Sequence, residues 1–167
     1  MSKPVWLIGL AGLLLSACGG GGGSAPAPTA PASPTITQIT PGDRALTVSF
    51  TPPLSDGGSP ISQYSASCRG GMFDNPSNTA AGSPIIVTGL TNGREYSCSV
   101  TARNAVGESA SSLAVAATPY TTPHAPTLVG VTVGDGFIEV AFTAPAEDGG
   151  NKILDYELAC TTVSSPL

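Results

Sequence analysis

One phrase occurs twice in this chain: "PLSDGGSPISQY" begins at Pro53 and "PAEDGGNKILDY" at Pro145. Aligned without gaps, Pro34 pairs with Pro126, Asp43 with Asp135, Phe50 with Phe142, Asp56 with Asp148, Tyr64 with Tyr156 and Cys68 with Cys160, every pair 92 residues apart. Short-repeat solenoids have shorter periods, whereas a gapless period near ninety residues is the size of a small sandwich domain. The length, 167 residues, allows one such domain plus a fragment of a second.

The residues inside each unit specify strands. Thr, Val, Ser and Ile alternate between Gly/Pro/Asn/Asp clusters, and 21 Gly and 16 Pro leave little that favours helix. In the first unit Leu46, Val48 and Phe50 alternate with Thr47 and Ser49, so one face of this strand is expected in the core and the other in water. Tyr64, Ala66 and Cys68 share one parity in the next strand, and Tyr96, Cys98, Val100 and Ala102 share one in a later strand. Those faces should meet. Leu90 and Tyr96 bracket an Asn-Gly turn, and Tyr96 stands two residues before Cys98, the spacing of a tyrosine corner. The expected fold is all-β, an immunoglobulin-like sandwich, with Leu46, Val48, Phe50, Tyr64, Leu90, Tyr96 and Val100 in its core.

The first residues read differently. A cationic start, the amino terminus and Lys3, leads into "VWLIGLAGLLLSA", an apolar run too short to cross a bilayer as a stable helix. It ends in Leu15, Ser16, Ala17 and Cys18, and this "LSAC" resembles the lipobox of bacterial lipoproteins. The resemblance implies a signal peptide over 1–17 and a mature amino terminus at Cys18, whose thiol carries diacylglyceryl; several acyl chains anchor stably where one binds marginally. Gly19 stands where an aspartate would imply inner-membrane retention, so the expected location is the bacterial cell envelope, at the outer membrane. Residues 18–33, "CGGGGGSAPAPTAPAS", join a flexible glycine run to alternating Ala-Pro, which extends as polyproline II, and form a linker that cannot bury a core.

Residues 34–119, with "SDGGSPISQY" leading into one strand and "YSCSVTARNAVGES" forming a strand and the loop after it, resemble a bacterial fibronectin type III domain. The resemblance implies that Cys68 and Cys98, inward on neighbouring strands, form a disulfide, which an oxidising envelope permits. Phe50 takes a position usually held by a core tryptophan in that family. The loop "NAVGES" lacks the Arg-Gly-Asp some animal members use for integrin binding, so that function does not transfer. After a connector, 120–125, residues 126–167 are expected to repeat only the first three strands, A to C. Cys160 is then an unpaired thiol, because its partner would lie near 98 + 92 = 190, and the unfinished unit is expected to be mobile and open to strand addition or an intermolecular disulfide.

Other chemistries find no support. Six basic residues, scattered within a net charge of −5, make no patch for a nucleic acid backbone. His124, the single histidine, lies between Pro123 and Pro126 with no nucleophile or carboxylate implied by spacing. The four cysteines contain no C-x-x-C pair, so neither zinc nor any other cofactor is expected. Asp56-Gly57-Gly58 offers one carboxylate, too few for a calcium cage and ordinary for a turn. Glu147 and Asp148 lack a facing pair across a cleft, and read as surface charge rather than as catalytic carboxylates. The expectation is a non-enzymatic, lipid-anchored envelope module that binds protein or carbohydrate, mediates adhesion or acts as a spacer. The alternative is the amino-terminal part of a longer surface enzyme or multi-repeat adhesin.

Overall fold

Period-two alternation becomes burial in the computed structural model, which describes residues 26–161; the expected signal peptide and Cys18 lie outside the described residues. Among the described residues nine strands run in order: β1 (Thr35–Gly42), β2 (Ala45–Thr51), β3 (Gln63–Arg69), β4 (Ser77–Ala80), β5 (Ile85–Thr88), β6 (Tyr96–Arg103), β7 (Val115–Ala117), β8 (Thr127–Val133) and β9 (Ile138–Thr143). No helix among the described residues is long and apolar enough to cross a membrane.

The first seven strands make two antiparallel sheets, β1-β2-β5 and β4-β3-β6-β7. Their inward faces share one cluster, which includes Leu46, Val48, Phe50, Tyr64, Leu90, Tyr96 and Val100, all buried. Phe50 stacks at a tilt on Tyr64 with ring centroids 4.9 Å apart, joining the sheets. A large ring at Phe50 therefore fills the position where the family uses tryptophan, and tilted packing of this kind contributes beyond its buried area. Cys68 faces Cys98 directly in the β3–β6 ladder and the two form a disulfide.

The edge beyond β6 departs from a plain ladder. Before β7 begins, the chain runs beside β6 through Ser109 and Ser112, both buried. The amides of Ala102 and Val100 donate to the side-chain oxygens of Ser109 and Ser112, each at 3.0 Å, while the amides of those serines donate back to the carbonyls of Ala102 at 2.8 Å and Val100 at 2.9 Å. Serine hydroxyls here replace backbone carbonyls, so every β6 donor involved is paired although the strand is irregular.

The second unit repeats the start of the first in detail. β8 and β9 pair antiparallel, and the register slip between Leu128 and Gly130 matches the slip between Ile36 and Gln38 in β1. Phe142 and Tyr156 again stand 4.9 Å apart. The expectation of three strands is corrected here to two, because residues 152–161 form no strand. The physical reason lies in β3, which is hydrogen-bonded on one side to β4 and on the other to β6. A strand is held by its ladder, and no described residues flank Tyr156, Leu158 and Cys160 in those roles.

Candidate functional site

β1 starts beside the loop that joins β2 to β3, at what we call the near end of the first unit. The composition of the residues before β1 predicts free linker, yet Pro31 and Pro34 are buried. The amide of Thr29 donates to the carbonyl of Gly57 at 2.8 Å and that of Ala32 to Ser55 at 2.9 Å. The last residues before β1 are thus fastened to the sandwich.

Asn104, at the end of β6 and 3% exposed, completes this fastening. Its amide nitrogen donates to the carbonyls of Thr29 and Asp56, both at 2.7 Å, and its side-chain oxygen accepts from the amides of Val106 at 2.9 Å and Gly107 at 3.0 Å. One side chain therefore ties the lead-in, the β2–β3 loop and the β6–β7 loop together. Asp56 behaves as turn chemistry predicts, its carboxylate accepting from the amide of Gly58 at 2.8 Å, and Asp148 accepts from Gly150 at the same distance.

At the far end, Tyr96 makes the corner that its spacing announces. Its hydroxyl accepts from the amide of Thr91 at 3.1 Å and donates to a carboxylate oxygen of Asp74 at 2.9 Å. Arg94 pairs with the same carboxylate at 3.1 Å and also donates to the carbonyl of Gly70. The loop between β3 and β4 is braced at its base by these bonds, and at its tip Met72 and Phe73 are 90% and 96% exposed. Two adjacent large apolar side chains on a braced tip form a small exposed apolar patch. Its signal in the sequence is "GGMFDNP", an apolar pair inside a turn cluster, which an argument built on strand alternation passes over.

The far end also meets the second unit. The amide of Gly93 donates to the carbonyl of Pro119 at 2.9 Å, and the amide of Thr121 donates to Gly149 at 2.8 Å. His124 stands 4.0 Å from the carboxylate of Glu147, a neighbour that spacing does not reveal; both side chains are largely exposed, so the pair adds little. Between the units lies a cleft of about 510 Å³ bordered by Asp43, Asn92, His124 and Glu147 among others. No group of three or more His, Cys, Asp or Glu side chains that could hold a metal occurs among the described residues. Cys160 is a free, exposed thiol.

Two facing antiparallel sheets, a tyrosine corner and a buried disulfide between neighbouring strands define the class: an immunoglobulin-like β-sandwich, followed by a strand pair, β8–β9, that repeats its first two strands. The fibronectin type III domain model matches residues 27–118, and the chain belongs to that family. The match takes in Thr29 and Pro31, in keeping with their packing on the sandwich. Domains of this family are typically non-catalytic modules.

Among curated proteins, a Kelch domain-containing protein of Saccharolobus solfataricus is 29% identical over 126 residues, which make up 75% of this chain and 17% of that protein. The chain therefore spans 17% of the length of this relative. Among solved structures, a crystal structure of consecutive titin domains aligns with a TM-score of 0.50 and 22% identity, over 53% of this chain and 32% of that one. The FN5 domain of Drosophila Lar aligns with a TM-score of 0.45 and 24% identity, over 53% of this chain and 96% of that domain. The titin likeness is one of fold.

Proposed function

We propose that the protein is a lipid-anchored module of the bacterial cell envelope, held at the outer membrane through Cys18, whose sandwich spaces a contact surface for protein or carbohydrate away from the bilayer. The observation that carries this reading is the path of the chain through the first unit. It arrives at the near end, where Thr29 is fastened to Gly57, and departs at the far end, where Pro119 accepts from Gly93. A module threaded in this way holds the segments on its two sides apart by its full length. The Met72–Phe73 tip lies at the end away from the tether, where a partner would be met.

The test is at the anchor. Wild-type protein expressed in a lipoprotein-processing bacterium should incorporate labelled fatty acid and partition with membranes, and Cys18→Ser should do neither. Equal labelling of both proteins would remove the anchor from the proposal.

A second reading rests on the Saccharolobus relative, in which the matched stretch is a small part of a much longer protein. Under it, this sandwich is the amino-terminal part of a longer surface enzyme or multi-repeat adhesin. Open coding sequence continuing past Leu167 into further strands would favour it over a short lipoprotein.

A further inference from the structure

The two Asp-Gly-Gly loops adopt one backbone. Gly57 and Gly58 have φ of +74° and +78°, and Gly149 and Gly150, 92 residues on, have +76° and +83°. Any side chain at these positions meets the same backbone penalty, so differences between them must come from what each glycine touches.

The first glycine of each pair faces its own lead-in. A Cβ at Gly57 would overlap the carbonyl oxygen of Thr29 and approach that of Ala30 to 2.7 Å; a Cβ at Gly149 would overlap the carbonyl oxygen of Thr121 and approach its carbon to 2.9 Å. Thr29 and Thr121 are themselves 92 residues apart. Each is also held by its glycine's carbonyl, with N–H···O of 2.8 Å in both units. This half of the motif does the same thing twice.

The second glycine does not. Around Gly58 the space is open, with only the Cα of Pro28 at 3.9 Å. A Cβ at Gly150 would instead overlap the amide nitrogen of Gly93 and lie 2.6 Å from the carbonyl carbon and 2.8 Å from the Cβ of Asn92. The contact is mutual, because a Cβ at Gly93 would lie 3.1 Å from the Cα of Gly150. Asn92 is held in place: it accepts from the amide of Arg44 at 2.7 Å and donates to the carboxylate of Asp43 at 2.8 Å, so the β1–β2 turn and the Asn92–Gly93 turn form one platform.

We infer that the Asn92–Gly93 turn is a docking surface for an Asp-Gly-Gly loop, and that its partner is the second glycine of the loop in the next unit, Gly150. The first glycine of the motif fastens a unit to its own lead-in; the second brings it against the unit before it. Backbone meets backbone at this junction, with the Cβ of Asn92 closing one side of it, so the surface fits a partner with glycine at that position and excludes every other residue by overlap. The direction of the second unit relative to the first is set by this contact, independently of any lipid anchor.

Residual dipolar couplings of backbone amides in the full chain provide the test. In wild type, couplings from β2, β3 and β6 and couplings from β8 and β9 should fit a single alignment tensor. Gly150→Ala should split them into two tensors, while Gly58→Ala, which has the same φ cost but open space, should leave a single tensor. Should Gly150→Ala unfold β8 and β9, Gly93→Ala presses on the same contact from the well-packed first unit, its Cβ 3.1 Å from the Cα of Gly150, and should displace the β8 and β9 couplings from the tensor of β2, β3 and β6. A single tensor in both Gly150→Ala and Gly93→Ala, or two tensors already in wild type, would overturn the inference.

Discussion

Phe142 and Tyr156 hold their rings 4.9 Å apart, the same separation as Phe50 and Tyr64 in the first unit, but with very different cover. The first pair is 4% and 6% exposed, the second 45% and 44%. Equal ring separation therefore has different energetic weight. Phe50→Ala should remove about 3 to 5 kcal/mol from the unfolding free energy, as large-to-small changes of a buried aromatic do. Phe142→Ala should leave the main urea transition unmoved, and amides after Pro126 should exchange faster than those of β2 and β6. Circular dichroism and hydrogen exchange check both, and slow exchange throughout β8 and β9 would show that the second unit holds itself together.

Cys68 and Cys98 close a loop of 30 residues inside a core where both are fully buried. On the chain-entropy account, opening it should cost roughly 3 to 4 kcal/mol. The double variant Cys68→Ala/Cys98→Ala should shift the urea midpoint accordingly. Mass spectrometry of protein from an oxidising compartment should find this pair joined and Cys160 reactive toward alkylating reagents.

Removing one oxygen at Tyr96 tests the far-end corner. Tyr96→Phe keeps the ring but leaves the amide of Thr91 without its acceptor and takes one of the donors from Asp74, whose bond to Arg94 survives. The expected loss is about 1 to 2 kcal/mol, the usual range for an unpaired, part-buried group. Equal midpoints for Tyr96→Phe and wild type would show that the corner is held by ring packing alone.

The fastening at the near end depends on Asn104. Asn104→Asp keeps an oxygen for Val106 and Gly107 but cannot donate to Thr29 or Asp56, so it should release the lead-in while the β6–β7 loop persists. Limited proteolysis should then cut between Pro28 and Pro34 in Asn104→Asp and not in wild type. Asn104→Ala loses both sets of bonds without burying a charge and should cost about 2 to 3 kcal/mol. Equal resistance of wild type and both variants would show that the buried prolines suffice.

Period and parity made the core legible from residues alone. Leu46, Val48, Phe50, Tyr96 and Val100 announce themselves because burial alternates along a strand, and Cys68 and Cys98 join them once the strands are taken as neighbours. Asn104 gives no such signal, since an asparagine in a loop looks alike whether it is solvated or makes four bonds inward. Ser109 and Ser112 read as ordinary polar residues because their hydroxyls stand in for carbonyls, a role that only the missing stretch of ladder discloses. The unladdered state of residues 152–161 is hidden for the opposite reason: Tyr156, Leu158 and Cys160 carry a correct strand pattern, but pattern alone does not supply neighbours. Gly57 and Gly58 both read as turn residues, while the difference between Gly58 and Gly150 exists only in three dimensions.

The path of the chain has a mechanical corollary. Pulled by the chain before Thr29 and by the chain beyond Pro119, the first unit is stretched along its strands, since it is gripped at opposite ends. The hydrogen bonds joining β1 to β2 and β7 to β6 lie across that line and share the load together instead of opening one after another. If the strands do part, the 30-residue span between Cys68 and Cys98 stays closed, withholding roughly 100 Å of contour from extension. The covalent bond thus sets a stop on how far the unit can lengthen under force, with β4 and β5 retained behind that stop.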